Sequence, residues 1–364
     1  MKNPHLRELS EMSTKERSFL SVYLSKETLL KNMEKRFDAL RAVLKSDPDN
    51  RDELEYFNEN VRAVMSYLDE HGVKSDGLCL FSNWVLDMFK AVEVAHPMKD
   101  VVWIDSSPYI RPLAEFEDEF ESYAVVLTDN DRTRIYYVAA NKMQSEESVK
   151  GDIKNHVKVG GWSQQRYERR RDKQLSDYAG EIIDTLNEMR KEEDFQRIIL
   201  VGGKEIIRII LEDIPDHLKD KIVHKAVDLN KDEEHINEDI WELFQEMERT
   251  SERDLWEKIR EEYMRGGRAV VGLDDVFLKA KEYRIDSLIV DRDLKIKAKR
   301  CRDCGKLQRH DGETCTSCGS ESLYDVDYVN EIVELVLQSG GKVIFSDPIP
   351  ELDKAGKIAA YLRY

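Results

Sequence analysis

The sequence predicts a multidomain α/β (α+β) protein of three layered domains, with a small metal-binding ribbon inserted in the third. Three observations carry this. Apolar runs of strand length alternate with helical stretches along nearly the whole chain. The 364 residues suit two or three domains of ~100–200 residues each. Four of the five cysteines fall in one short stretch near the end, with Cys79 alone.

The elements follow in order. SFLSVYL (18–24) reads as a strand. Two long helical patterns, roughly 27–45 and 51–70, flank Asp47-Pro48-Asp49-Asn50, a turn signal that makes them an αα-hairpin. GLCLF (77–81) and VVWI (101–104) read as buried strands, closing an N-terminal α/β domain at 118. YAVVLTDN (123–130) and RIYYVAA (134–140) form a hairpin about Asn130-Asp131. A charged, glycine-bearing loop is expected from 141 to about 162, then a helix to 192. RIILVGG (197–203) and the helix after it give a strand, glycine turn and helix of a layered domain. An acidic helical stretch, 231–264, completes a middle domain, 119–264. Gly266-Gly267 breaks that helix. The C-terminal domain, 265–364, reads as strand–helix–strand over 269–290, a cysteine ribbon at 300–320, a helix at 327–338, and the strands of KVIFSD and KIAAYLRY.

Hydrophobic residues make up 41% and charged residues 36%, so real cores are available beneath a heavily charged surface. The net charge of −17 argues against bulk nonspecific nucleic-acid binding; any RNA contact must come from a local basic patch. There is no apolar run of membrane-spanning length and no apolar signal core at the start, so a cytoplasmic protein without membrane contact is expected.

Cys301-Arg-Asp-Cys304-Gly and Cys315-Thr-Ser-Cys318-Gly are two C-x-x-C-G knuckles with ten residues between them. Four thiolates in two such turns suit tetrahedral Zn²⁺, and the glycine after each second cysteine relaxes the turn. A closed four-cysteine site has no open position for catalysis, so this zinc is structural. The alternative is four reduced thiols without metal. One C-x-x-C would suffice for a redox role, so the pair argues against it.

Residues 150–173, KGDIKNHVKVGGWSQQRYERRRDK, hold eight Lys or Arg against three Asp or Glu, about +5 within a −17 chain. Lys158, Gly160 and Gly161 come first; Trp162 and Ser163 then lead into a helix with Arg166, Arg169 and Arg170 at i, i+3, i+4, on one face. Such a face can follow a phosphate backbone while the glycines let the chain approach another molecule closely. A solvated helix face, and a loop plugged by Trp162, would account for the same residues, and the residues alone do not choose. His156 reads as an exposed loop histidine. RIILVGGKEIIR lacks the spacing of a phosphate-binding P-loop.

Gly160-Gly161-Trp162-Ser163-Gln164-Gln165-Arg166-Tyr167-Glu168-Arg169 resembles the Gly-Gly-Gln-Ser loop and Arg–aromatic–Arg helix of the archaeal and eukaryotic peptide-chain release factor family, which includes Pelota. YAVVLTDNDRTRIYYV, RIILVGG, GRAVVGLDDVFLKAKEYRIDSLIV, the cysteine pair and KIAAYLRY resemble that family's later segments, in order, so the likeness runs from about 18 to 364. It implies a tRNA mimic that docks in the ribosomal A site. The partners it admits are rRNA, peptidyl-tRNA and, through the C-terminal domain, a translational GTPase.

Two departures limit what is inherited. The family's stop-codon readers carry Asn-Ile-Lys-Ser at the hairpin tip; here the tip is Lys45-Ser46-Asp47-Pro48-Asp49-Asn50, and the Tyr-x-Cys-x-x-x-Phe stretch is replaced by WIDSSPY. An acidic tip is a poor partner for mRNA phosphates. The family's catalytic glutamine is Trp162, whose indole has one donor and no acceptor. Gly-Gly-Trp-Ser resembles the form in divergent bacterial relatives, among them the Balon-type hibernation factors. The expectation is therefore a ribosome-binding factor of hibernation or rescue, without stop-codon-dependent termination. The alternative is a codon-independent peptidyl-tRNA hydrolase of ribosome rescue, using Gln164 or Gln165. A third reading keeps the fold and works off the ribosome.

Overall fold

The computed structural model describes residues 4–28, 30–46, 51–94, 96–119, 122–129, 132–139, 142–150, 162–192, 195, 197–219, 221–226, 233–309 and 312–364; over 162–168 and 233–248 it describes backbone alone. The chain divides into two compact units, 1–118 with 252–364, and 119–251.

The chain opens with α1 (Pro4–Ser10), β1 (Phe19–Ser25), α2 (Leu30–Ser46), α3 (Arg51–His71), β2 (Gly77–Asn83), β3 (Met88–Val94), β4 (Val101–Asp105) and α4 (Arg111–Glu119). The second unit holds β5 (Tyr123–Thr128), β6 (Arg132–Ala139), β7 (Lys142–Lys150), α5 (Trp162–Glu192), β8 (Arg197–Gly202), α6 (Lys204–Asp213), α7 (Asp216–Lys219), β9 (Ile222–Ala226) and most of α8 (Glu233–Met264). The chain ends with β10 (Ala269–Val271), α9 (Leu273–Lys281), β11 (Ile285–Asp291), β12 (Lys297–Cys301), β13 (Leu307–Gln308), β14 (Leu323–Asp327), α10 (Tyr328–Gln338), β15 (Lys342–Ser346), α11 (Pro350–Lys354) and β16 (Ile358–Leu362). The mixed α/β, multi-sheet architecture matches the expected class.

In the first unit an antiparallel sheet runs β3-β2-β1-β4. Side chains alternate across it with period two. Leu20, Val22, Leu24, Leu78 and Leu80 meet Phe37, Phe57, Val64 and Leu68 of the αα-hairpin. Tyr23, Cys79 and Phe81 face a second cluster with Leu288, Val329, Val336 and Leu362. Because both faces are covered, SFLSVYL and GLCLF show continuous apolar runs. The late segments build the sheet β10-β16-β11-β15, parallel only between β11 and β15, and the ribbon sheet β13-β12-β14.

The second unit is a five-stranded sheet, β7-β6-β5-β8-β9, with β8 parallel to β5 and β9. Leu175, Tyr178, Ala179, Ile182, Ile183, Leu186 and Met189 give α5 an apolar stripe at helical spacing, packed on Ala124, Val126, Ile198 and Leu200. β7 departs from the expected loop at 141–162. KMQSEESVK is an edge strand whose residues 146–148 are exposed while Val149 is buried, so charge hides the strand pattern. The strand β3 was likewise not anticipated. The turn residues Asp47 to Asn50 and Asn130-Asp131 lie outside the described residues.

Candidate functional site

The ribbon sheet carries the cysteines. Each knuckle repeats one geometry: Gly305 N–H donates to the Cys301 carbonyl and Gly319 N–H to that of Cys315, both at 2.9 Å. Cys301 N–H donates to the Lys306 carbonyl at 3.0 Å, and Cys315 N–H to that of Ser320 at 2.7 Å. Gly305 and Gly319 sit at φ +71° and +76°, as the post-cysteine glycines require. The four sulfur atoms lie within 4.8 Å of one another, and Cys301–Cys318 and Cys304–Cys315 are each 3.6 Å apart. A tetrahedral ion with ligand bonds of ~2.3 Å has edges of ~3.8 Å, so the site fits one thiolate-bound metal ion. Amide N–H groups of Cys318 and Ser317 hold the Cys315 thiol down to about 6, while hydrogen bonding among the sulfurs pushes Cys318 up to about 12, so the four thiols share their protons.

Two supports were not legible in sequence. Gln308 is buried; its Oε1 accepts from Thr316 N at 2.9 Å and from Thr316 Oγ1 at 3.1 Å, while its Nε2 donates to the Thr314 carbonyl at 3.0 Å. This clips the second knuckle in place. Arg302, beside Cys301, makes a two-pronged contact with Glu53 of α3, Nε to Oε1 at 2.7 Å and Nη2 to Oε2 at 3.2 Å. Arg17 reaches the same carboxylate at 3.5 Å, and the Arg17 and Arg302 guanidiniums lie 4.7 and 5.2 Å from the Tyr324 ring centre.

In the second unit α5 begins at Trp162, so Trp162, Ser163, Gln164 and Gln165 form its first turn. Lys158, Gly160 and Gly161, with His156, lie outside the described residues. The helical backbone sets positions 166, 169 and 170 on one face, and Arg169 and Arg170 are exposed. Arg171 turns elsewhere: its Nη1 donates to Glu205 Oε1 of α6 at 2.7 Å. A buried hydroxyl chain, Thr128 to Thr133 at 2.6 Å and Thr133 to Tyr178 at 2.7 Å, ties the β5–β6 hairpin to α5.

The WIDSSPY stretch, 103–109, is occupied with internal contacts. Asp105, Ser106 and Ser107 are buried. Trp103 Nε1 donates to Asp105 Oδ2 at 3.2 Å, Ser107 Oγ to Glu334 Oε1 at 2.9 Å, and Tyr109 Oη to Asp327 Oδ2 at 3.0 Å. Asn330 Oδ1 accepts from the backbone of Ile110 and Arg111, at 3.0 and 2.9 Å.

Residues 108–249 match the model of the Bacterial archaeo-eukaryotic release factor family 10. Peptide chain release factor subunit 1 of Methanocaldococcus jannaschii is 27% identical over 308 residues, covering 75% of this chain and 73% of its own. The same factor from Methanococcus vannielii is 26% identical over 314 residues, covering 75% and 74%. Among solved structures, Dom34 of S. cerevisiae, described as a translation termination-like factor, aligns at a TM-score of 0.42 and 12% identity, covering 76% of this chain and 73% of that one. The sequence matches make the chain similar to archaeal peptide chain release factors over about three quarters of its length, with the bacterial release factor family model covering its middle segment.

Proposed function

We propose that the protein is a release-factor-like translation factor that docks in the ribosomal A site during hibernation or rescue and does not terminate at stop codons. One observation carries this reading: a release-factor family match spans 108–249, yet the residue after Gly160-Gly161 is Trp162, where the archaeal and eukaryotic release factors that the chain resembles carry their glutamine. Hydrolysis of peptidyl-tRNA needs a water held against the ester and donors aimed at the developing charge. An indole has no acceptor to hold that water and fills its space. It is suited instead to stacking on a nucleobase, worth ~1–3 kcal/mol. The internal contacts of WIDSSPY support the same reading, because its polar groups hold the fold and are not free for a codon.

Three working segments, 1–118, 119–264 and 265–364, follow from this reading, with a GTPase-binding role for the last and a cytoplasmic location. Among the described residues no helix is long and apolar enough to cross a membrane. Arg166, Arg169 and Arg170 follow rRNA phosphates, with Lys158, Gly160, Gly161, Trp162 and Ser163 at the tip. The metal is Zn²⁺, held by Cys301, Cys304, Cys315 and Cys318; it fixes the ribbon and takes no part in chemistry.

The test combines binding and release. Co-sedimentation with ribosomes from the same source should weaken with salt, and Arg166→Ala with Arg169→Ala and Arg170→Ala should lower the log–log slope by up to about one unit per lost phosphate contact. Wild-type protein at saturation should release little labelled peptide from defined ribosome complexes, whatever the codon; loss of one positioned polar group costs on the order of 10²–10³ in rate. Trp162→Gln should restore part of it. Rapid wild-type release, abolished by Gln164→Ala or Gln165→Ala, would establish the hydrolase reading instead.

A further inference from the structure

The turn joining β2 to β3 opens with three residues that turns avoid. Asn83 pairs with Met88, which leaves Trp84-Val85-Leu86-Asp87 as the turn. Tight turns draw on Gly, Asn, Asp and Ser. Here Trp84, Val85 and Leu86 are 52%, 46% and 48% exposed. The buried core holds the turn in this form. Asn60 Oδ1 accepts from Trp84 N at 2.8 Å, and Asn83 Oδ1 from Leu86 N at 3.0 Å. Both asparagines are buried and anchored on Ser18: Asn60 Nδ2 donates to its carbonyl at 2.7 Å, and Asn83 Nδ2 to its Oγ at 2.9 Å. Asp87 takes φ +49°, and its N–H donates to the Trp84 carbonyl at 3.2 Å.

The apolar tip continues along α3. Tyr56 lies 6.2 Å from the Trp84 ring, Tyr67 lies 5.3 Å from the exposed Phe89, and Tyr67 stacks on His71 at 4.5 Å. The rim is acidic. Asp52, Glu55 and Asp87 are exposed, and Asp52, Glu16 and Glu55 add to burial in pushing the Tyr56 phenol up. The nearby cations are largely engaged: Arg62 pairs with Glu59 at 2.5 Å and Lys90 with Glu8, leaving Arg51 exposed at the helix start. An aromatic strip can stack on bases, but this rim repels phosphates. A preformed apolar anchor ringed by carboxylates suits a cationic polypeptide.

We propose that the Trp84–Asp87 turn and the Tyr56 face of α3 dock a Lys/Arg-rich protein segment, an apolar side chain seating against Trp84 while cations meet Asp52, Glu55 and Asp87. The inference rests on the ribosome reading, in which the segment belongs to a ribosomal protein; those proteins are basic because they neutralise RNA phosphate.

The experiment installs photoreactive p-benzoylphenylalanine at Val85 of the full chain, binds it to ribosomes from the same source and irradiates the co-sedimented complex. The expected product is a cross-link to a Lys/Arg-rich stretch of one ribosomal protein. Trp84→Ala and, separately, Glu55→Lys should each raise Kd about tenfold with an unchanged circular dichroism spectrum. A cross-link to rRNA, a cross-link to a second copy of the chain, or no cross-link from a complex that still sediments overturns this inference alone. Unchanged affinity in the folded Glu55→Lys variant does so as well. Failure of the wild type to sediment overturns the ribosome reading and this inference with it.

Discussion

Glu331 of α10 lies beneath the ribbon, paired with Arg300 and facing Asp105 of β4, with Asp327 and Glu334 on its own segment. Burial pushes its carboxyl up to about 7 despite Arg300. Burial raises Asp105 and Glu334 in the same direction. A carboxyl raised by folding binds its proton more tightly in the native state, so its contribution to stability is complete below the unfolded value near 4.5 and is lost as pH rises through about 7. Glu331→Gln should therefore flatten the fall in urea midpoint between pH 5 and pH 8; an equally steep fall in the variant would assign it to other groups. Gly202 is fixed by a different force. Its φ is +152°, and a Cβ there would stand 1.7 Å from the Thr128 carbonyl oxygen across the β5–β8 pair. Gly202→Ala should destabilise the second unit by more than about 2 kcal/mol in denaturant titration, because backbone, not a flexible side chain, blocks the methyl group.

The Arg302–Glu53 contact joins two elements far apart in sequence, the first knuckle and the start of α3. The Glu53 side chain is only 7% accessible, and its place in the first helical turn adds a favourable dipole interaction. Glu53→Ala leaves Arg302 and Arg17 without their shared carboxylate and should cost about 3 kcal/mol, as for other broken buried pairs. Arg302→Ala should cost a similar amount, and the double variant less than the sum of the two. Strict additivity in that cycle would show that the pair does not couple ribbon to helix. The basic helix α5 is the contrasting case: Arg171 pairs with Glu205, while Arg169 and Arg170 are exposed.

For the whole molecule, the two units have separate apolar clusters, and the first is assembled from both ends of the chain. Purified protein should contain about one equivalent of zinc, and chelation or paired Cys301→Ser and Cys318→Ser should lower stability. Calorimetry should then show the transition of the first unit shifted down while that of 119–251 keeps its midpoint. Metal content near zero with unchanged melting would refute a structural zinc site.

The sequence alone determined the α/β class, most helices and strands, and the four-cysteine site, because these depend on local periodicity and on ligand spacing within a few residues. It also supplied the family likeness and the Trp162 substitution that shapes the functional proposal. It missed β7, whose charged edge face hides the alternation, and β3, with two exposed and three half-exposed positions. Tertiary structure alone decided that Glu53 meets Arg302, that Gln308 clips the second knuckle, and that WIDSSPY spends its polar groups inside the fold. It also decided that Trp84 remains exposed on a turn held by buried asparagines. The Glu53–Arg302, Ser107–Glu334 and Asn60–Trp84 contacts join residues distant in sequence, and even over the shorter Gln308 clip no local pattern encodes which buried donor finds which acceptor once the chain has closed around them.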